Sequence, residues 1–430
     1  MNLKTRSIAF ERLTLASLLI GLVIVLIQTD GLWRLDRVVY DAHLRLWSDP
    51  APDDIVIIAI DEASLRTYGR WPWPRSLHAK LLDILSEEDI KAVSFDIIFA
   101  EPDLQNPVSD QQLSKAIKNN GRVILPVLME QTRQHEQPIE TLPLPELATH
   151  AAGLGHIHVE LDPDGIARSL FLYEGLGKAV WPHMSIAMLN IAGIKENLPV
   201  NTGSRKNISP MMWQRNHNML IPFQGPPDHF RVISYQQVMQ KEFLPGTFKD
   251  TFVLIGTTAA GLGDSIPTPV SGFNHLMSGV ELNANILNAL RNNQKITALG
   301  KPWKIILSGL IALLSVYLFQ NKTPRTNFFI TAAVLLACIG MSTILLRGFQ
   351  TWFPPTAAFL AVTLSYLLWS LLRLERTMRY LREELNRLHK QKTTLQSIDK
   401  ITLKETIDFY SQLLPLNGWL LLGENKKLMD

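Results

Sequence analysis

Four carboxylates, Asp61, Asp96, Glu101 and Asp103, follow two strand-like runs. Open α/β sheets collect ligand-binding groups at the carboxyl ends of their strands. Carboxylates gathered there accept hydrogen bonds from a ligand or hold a hard cation. Arg75 offers a positive charge to an anionic group, and Trp71 and Trp73 offer flat apolar walls. With His78 or His156 beside them, the same acids would suit metal-assisted hydrolysis. Each residue also has a plainer reading. Aspartates after strands cap helices and form turns. Tryptophans pack a proline-rich crossover, and an arginine pairs with a neighbouring acid. The chain carries no His-x-x-x-His pair and no nucleophile elbow to strengthen the hydrolase reading.

Two further stretches look chemical. Gly261 and Asp264 lie in a glycine-containing loop after the apolar run 252–256. A loop of that kind at a helix start can cradle a phosphate. It lacks the P-loop lysine and the full dinucleotide fingerprint, and a tight turn is the competing reading. Glu160, Asp162, Asp164 and Gly165 are spaced like the first half of a calcium loop. The position that needs a bidentate glutamate is Phe171, which argues against calcium. No metal site and no cofactor is expected.

The elements that must position these groups are legible. Residues 55–60 form an unbroken, β-branched apolar run, the pattern of a strand covered on both faces. Trp71-Pro72-Trp73-Pro74 excludes regular helix. From Arg75, Leu77, Leu81, Leu82 and Leu85 recur at helical spacing. A second strand is expected over 92–99. Strand, helix, strand reads as a right-handed βαβ unit. Further on, 110–120 reads as a helix ended by Gly121, 122–129 as a strand, and 131–137 as a polar loop. Asp162-Pro163-Asp164-Gly165 is a hairpin signal. Helices are expected over 184–192 and 234–240 and a strand over 219–222.

Residues 54–103, with AIDEASL, GRWPWPRSLHAKLL and FDIIFAEPD, resemble the opening of a CHASE sensory domain of the second type. Three later blocks resemble the same family in order: 153–173, 255–272 and the helix-like 277–290. The run WRLDRVVYDAHLRLW resembles the family's lead-in helix, with Leu35, Val39, Leu46 and Trp47 on one face. The resemblance covers roughly 32–295. It implies an α/β extracytoplasmic input module of bacterial receptors associated with cyclase, histidine-kinase or other two-component and cyclic-nucleotide signalling.

Net charge is +3, too small to point to nucleic acid, and the single cysteine, Cys338, allows no intrachain disulfide. Charge placement is more informative. A basic stub, 1–12, precedes the apolar run 13–29, read as an uncleaved anchor. Three more apolar segments, 303–319, 328–346 and 352–372, are each long enough to span a bilayer. Lys322, Arg325 and the arginines after 372 put the intervening loop and both termini in the cytoplasm. Residues 30–302 are then extracytoplasmic, on an inner-membrane protein with four spans. Leu374, Met378, Leu381, Leu385, Leu388 and Leu395 repeat at heptad spacing, with Lys392 interrupting. A homodimeric coiled coil over 374–395 is expected, the rival being a basic helix lying on anionic lipid. The tail 396–430 resembles the opening strand of a PAS domain and carries no cyclase or kinase signature.

The expected function is a membrane-bound sensory receptor that passes ligand binding through the membrane to a cytoplasmic coiled coil. Its output would belong to an absent or separate domain. The alternatives are a membrane-anchored extracytoplasmic hydrolase and an envelope protein-interaction module. The expected partners are an extracytoplasmic small ligand or envelope protein, the membrane and a second copy of the chain.

Overall fold

A computed structural model describes residues 3–46, 48–130, 138–194, 212–262, 265–272, 275–319, 322–413, 421–422 and 428–429. The apolar N-terminal run forms α1 (Leu3–Gln28), which breaks before α2 (Trp33–Arg45). The α/β region then runs β1 (Ile55–Ile60), α3 (Glu62–Tyr68), α4 (Arg75–Ser86), β2 (Ala92–Phe95), α5 (Pro107–Asn120), β3 (Val123–Glu130), β4 (Ile139–Thr141), α6 (Pro145–Ala148) and β5 (Gly153–His156). It continues with β6 (Glu160–Leu161), β7 (Ala167–Leu176), β8 (Trp181–Pro182), α7 (Met184–Ile191), β9 (Trp213–Leu220), β10 (Arg231–Ser234), α8 (Tyr235–Met239) and β11 (Phe252–Thr257). It closes with β12 (Ser265–Ile266), β13 (Met277–Ser278), α9 (Gly279–Arg291) and β14 (Thr297–Ala298). Last come α10 (Lys301–Leu318), α11 (Pro324–Phe349), β15 (Thr351–Trp352) and α12 (Thr356–Leu413).

The main sheet has the order β10-β1-β11-β2-β3, with β5 parallel and β4 antiparallel to β3. The neighbours along that order are parallel. Every residue of β1 is buried, and the reason is visible in its alternation. Val56, Ile58 and Ile60 pack on α4, α5 and α8 through Leu81, Leu82, Leu113, Ile117 and Val238. Ile55 and Ile57 join the other face, with Met184 and Met188 of α7 and Leu282 and Ile286 of α9. A strand apolar on both sides needs two such layers. A second, antiparallel sheet, β6-β7-β8 with β9 on β7, lies on the α7–α9 side through Leu170 and Leu172.

Several expectations shift. The second strand ends at Phe95, not Phe99, because Asp96 makes the last bond to Ile255 and the chain then leaves the sheet. β9 is longer than the expected 219–222, starting at Trp213. α2 turns a different face inward: Tyr40, Asp41 and Leu44 are buried, whereas Leu35 and Leu46 are exposed. Asp41 is drawn in by Arg168, as described below. Trp47 lies outside the described residues, as do the loop 131–137 and Asp264.

Among the described residues, three helices, α10, α11 and α12, are long and apolar enough to cross a membrane. The count is four if α1 and α2 are one span, but the two are bent by 79°. Leu15, Leu19, Val23 and Ile27 of α1 pack on Ala312 of α10 and on Ala357 and Ala361 of α12. α12 continues unbroken for 58 residues, about 90 Å at helical rise. The expected separate tail from 396 is therefore helix as far as Leu413. Beyond it, Leu421–Leu422 pairs antiparallel with Leu428–Met429. Leu374, Met378, Leu381, Leu385 and Leu388 form an exposed apolar row along α12.

The α/β region and the long helices meet around Trp352. β14 pairs with β15, the short strand between α11 and α12. Tyr40 and His43 of α2 pack edge-on against Trp352 with ring centroids 5.0 and 5.7 Å away. Thr356, at the start of α12, donates to Asp36 of α2.

Candidate functional site

A cleft of about 1050 Å³ opens at the carboxyl edge of the main sheet. Strand-edge loops build it, as the doubly wound arrangement dictates. One wall is the Trp71–Arg75 crossover, and another is the chain after β2 from Asp96 to Gln105. Thr257 enters at the end of β11, Leu262 after it, and Gly279 and Asn283 from the N-terminal end of α9. Gly256 permits this approach. A Cβ there would lie 2.7 Å from Val280 of α9 and 3.1 Å from Asp96.

The expected site residues divide. Trp71, Trp73, Arg75, Asp96 and Glu101 all line the cleft. Asp96 is half-buried, and the Glu101 side chain is exposed. Arg75 is held at the rim: its Nε lies 3.1 Å from Asp110, and Nη2 donates to the Glu101 carbonyl at 2.7 Å. Its guanidinium also sits 5.7 Å over the Phe99 ring. Trp73 is buried and donates to the Gly69 carbonyl at 2.9 Å. Trp71 packs edge-on against it at 5.4 Å.

Asp61 does not line the cleft. It caps α3, accepting from the Ser64 amide at 2.9 Å and from the hydroxyls of Ser64 and Ser234 at 2.6 and 3.0 Å. Asp103, which also borders the cleft, accepts from Ser109 and from the amides of Gln105 and Asn106. The Ser109 hydroxyl and these amides hold its carboxyl below the usual carboxylate range. These carboxylates are occupied as caps and turn formers and do not converge on one cation. Gly261 has a φ of +80°, which a glycine takes without strain. The amides that would cradle a phosphate are already used: Thr258 and Ala259 donate to Ile60, and Ala260 to Glu62. Asp264 lies outside the described residues.

His78, named beside the acids as a partner for metal-assisted hydrolysis, lies one turn into α4 and is buried in the cleft floor among Trp71, Trp73, Phe95, Phe99 and Tyr235. Its Nδ1 lies 3.1 Å from the Tyr235 hydroxyl. Burial, with a smaller contribution from Arg75, pushes its pKa down to about 3. It is a neutral imidazole, able to meet a ligand as donor or acceptor. Asn283 is buried where α9 enters the cleft.

Away from the cleft, Arg168 is fully buried and ringed by acids. It makes a two-bonded pair with Asp41 of α2, both at 2.8 Å, and reaches Asp162 at 2.7 Å and Asp164 at 2.9 Å. The calcium-like spacing thus serves a guanidinium. The signal was available: Arg168 follows the Asp162–Gly165 turn on the returning strand. Among the described residues, one group could hold a metal ion: His158, Glu160 and Glu174 on the second sheet. His158 Nδ1 stands 3.2 Å from both Glu174 oxygens, and Glu160 is also paired with Arg215.

No curated protein and no solved structure matches the chain. A family model described as the CHASE2 domain matches residues 19–318, from within α1 to the end of α10. CHASE2 domains are sensory and extracytoplasmic. The match covers well over half of the 430 residues, and it coincides with the α/β region whose cleft is described above: the chain belongs to the CHASE2 domain family.

Proposed function

We propose that this chain is a membrane-bound sensory receptor whose α/β domain binds a small extracytoplasmic ligand in the cleft. The observation that carries the reading is the course of α9. Its first turn lines the cleft, and its last residue, Arg291, pairs with Asp54 beneath β1. A few residues later β14 joins β15, between two apolar helices. A ligand that draws Gly279 and Asn283 inward acts on an element that ends at the membrane junction. Coupling of about 1–3 kcal/mol is enough for such a signal.

Four spans, with α1 as the first and both termini cytoplasmic, fit the placement of basic residues around 4–12, 322–325 and 373–390. The exposed row from Leu374 to Leu388 suits a second copy of the chain, giving a parallel coiled-coil dimer as the cytoplasmic end of the signal path. A sensory role is favoured over a hydrolytic one because Asp61 and Asp103 are committed to capping and turn contacts.

The test is a thermal-shift screen of the full chain in detergent against small metabolites, anions and divalent metals. The full chain is required because α2 and β14 rest on Trp352 and Thr351. A ligand specific to the folded form raises the melting temperature by mass action. A hit lost on Asn283→Leu, which replaces a cleft-lining amide by an apolar side chain, supports the sensor. Stabilisation by a divalent metal alone, or by a ligand indifferent to Asn283→Leu, rejects the cleft as the sensing site.

A further inference from the structure

On the second sheet, His158, Glu160 of β6 and Glu174 of β7 bring three metal-ligating side chains together. One ligand atom from each lies within 4.8 Å of the other two. The Glu174 side chain is 0% exposed, whereas those of His158 and Glu160 are 31% and 27% exposed. The cluster therefore has a buried carboxylate at its base and an approach from solvent past the other two residues.

The spacing within the cluster is an independent observation. His158 Nδ1 stands 3.2 Å from both oxygens of Glu174. A charge-assisted bond from N–H to carboxylate is shorter, about 2.7–2.9 Å. Two ligands of one tetrahedral ion stand about 3.3 Å apart, because each lies about 2.0–2.1 Å from the metal. The pair is spaced for an ion rather than for a shared proton. Its surroundings suit an ion too. Arg215 pairs with Oε1 of Glu160, which leaves Oε2 for the cluster, and ligating carboxylates are held by such outer partners. Arg215 is itself fixed over the rings of Phe171 and Trp213, 4.7 and 5.2 Å from their centres. Trp213 also packs on His158, with ring centroids 5.0 Å apart. An apolar wall there strengthens the attraction between an ion and two carboxylates.

We propose that His158, Glu160 and Glu174 form a binding site for a first-row divalent metal ion of the zinc type. One imidazole and two carboxylates, with a position left for water, are the mixed nitrogen and oxygen set that such ions take. Calcium and magnesium take oxygen ligands alone. The site is separate from the cleft and does not rest on the sensory reading. The ion ties β6 to β7 just before the Asp162–Gly165 turn, whose Asp162 pairs with Arg37 of α2. It thus braces the hairpin on which α2 docks.

The experiment uses the full chain in detergent, stripped of metal with a chelator and titrated with Zn²⁺ against a chromophoric competitor. A single equivalent should bind per chain, and Co²⁺ in its place should give the visible absorption of a low-coordinate site. His158→Gln and Glu160→Gln should each weaken Zn²⁺ binding about a hundredfold, at or beyond the loss typical of an outer partner. Both positions are partly exposed, so the metal-free melting temperature should stay near that of the parent chain. Glu174→Gln should abolish binding, but its burial makes the two exposed positions the deciding ones. His275→Gln, at an exposed histidine beside Asp228, should change binding by less than about twofold. Binding that survives both His158→Gln and Glu160→Gln, or that falls equally with His275→Gln, overturns the site. So does a chain that takes up no Zn²⁺, in which His158 and Glu174 share only a proton. Mg²⁺ or Ca²⁺ that displaces Zn²⁺ at equal concentration overturns the class of metal.

Discussion

Two buried ionisable groups, Arg168 and His78, are handled in opposite ways. Both are 1% exposed. Arg168 keeps its charge because Asp41, Asp162 and Asp164 surround it with directional hydrogen bonds, and Arg37 adds a second cation 3.0 Å from Asp162. The aspartates push its pKa up, so it does not titrate. His78 gives up its charge, because its surroundings are aromatic rings and one tyrosine hydroxyl. The contrast assigns work to two sides of the domain. Where α2 docks, geometry is fixed by bonds that hold only at set distances and angles. At the cleft floor, contacts are apolar and make weaker angular demands, and the charged pair on this side, Arg75 with Asp110, stands at the rim.

Removing the guanidinium is the largest test of this contrast. Arg168→Met leaves Asp41 buried beside two more carboxylates. Breaking a buried pair from one side costs about 3–5 kcal/mol. Denaturant titration of the full chain in detergent should show that loss. A loss below about 1 kcal/mol would mean that the cluster does not hold α2 to the domain. Arg75→Gln should cost less, about 1–2 kcal/mol, because the Arg75–Asp110 pair is only partly shielded, at 16% and 8% side-chain exposure. The same substitution frees the loop around Glu101, so any cleft ligand should bind more weakly to it. A ligand bound equally well by both forms would remove Arg75 from the site.

His78 sharpens the comparison through pH. Its folded pKa, about 3, lies below the ordinary 6.5. As pH falls through 6.5 the unfolded chain takes up this proton and the folded chain does not. The contribution to stability is therefore complete above 6.5 and declines toward 3, by about 1.4 kcal/mol per pH unit. His183 titrates in the same direction, also with a pKa of about 3 from burial. His78→Phe should remove one proton's worth of the slope between pH 6 and 4 and leave the rest. An unchanged slope would show that His78 is protonated in the fold.

How much of this was readable depends on whether the cause was local. The β1 run declared two covered faces, and the Asp162–Gly165 turn declared its hairpin. β9 was not readable along most of its length. Trp213 to Asn218 is largely polar and half-exposed, and pairing with β7 rather than its own pattern makes it a strand. The face of α2 was misjudged for a similar reason. Leu35 and Leu46 looked like the inner residues, but Asp41 goes inside because Arg168 waits there, 127 positions later. At the cleft, the strand-edge rule located the tryptophans, Arg75 and Asp96. It offered no means of knowing that Asp110 holds Arg75, or that Asp61 turns away.

Asp61 gives the smallest effect and the cleanest separation of structure from binding. Its carboxylate accepts the Ser64 amide in the first turn of α3 and ties in Ser234 at the end of β10. Replacing such a cap by alanine costs about 1 kcal/mol. Asp61→Ala should therefore lower the melting temperature slightly while leaving the ligand-induced shift intact, because no cleft contact is lost. Arg75→Gln should do the reverse in proportion, with a larger effect on the ligand shift than on the unliganded protein. If Asp61→Ala abolishes the ligand shift while the protein stays folded, the carboxylate turns from its cap to the ligand, and the binding site extends along the sheet edge past β1 toward β10.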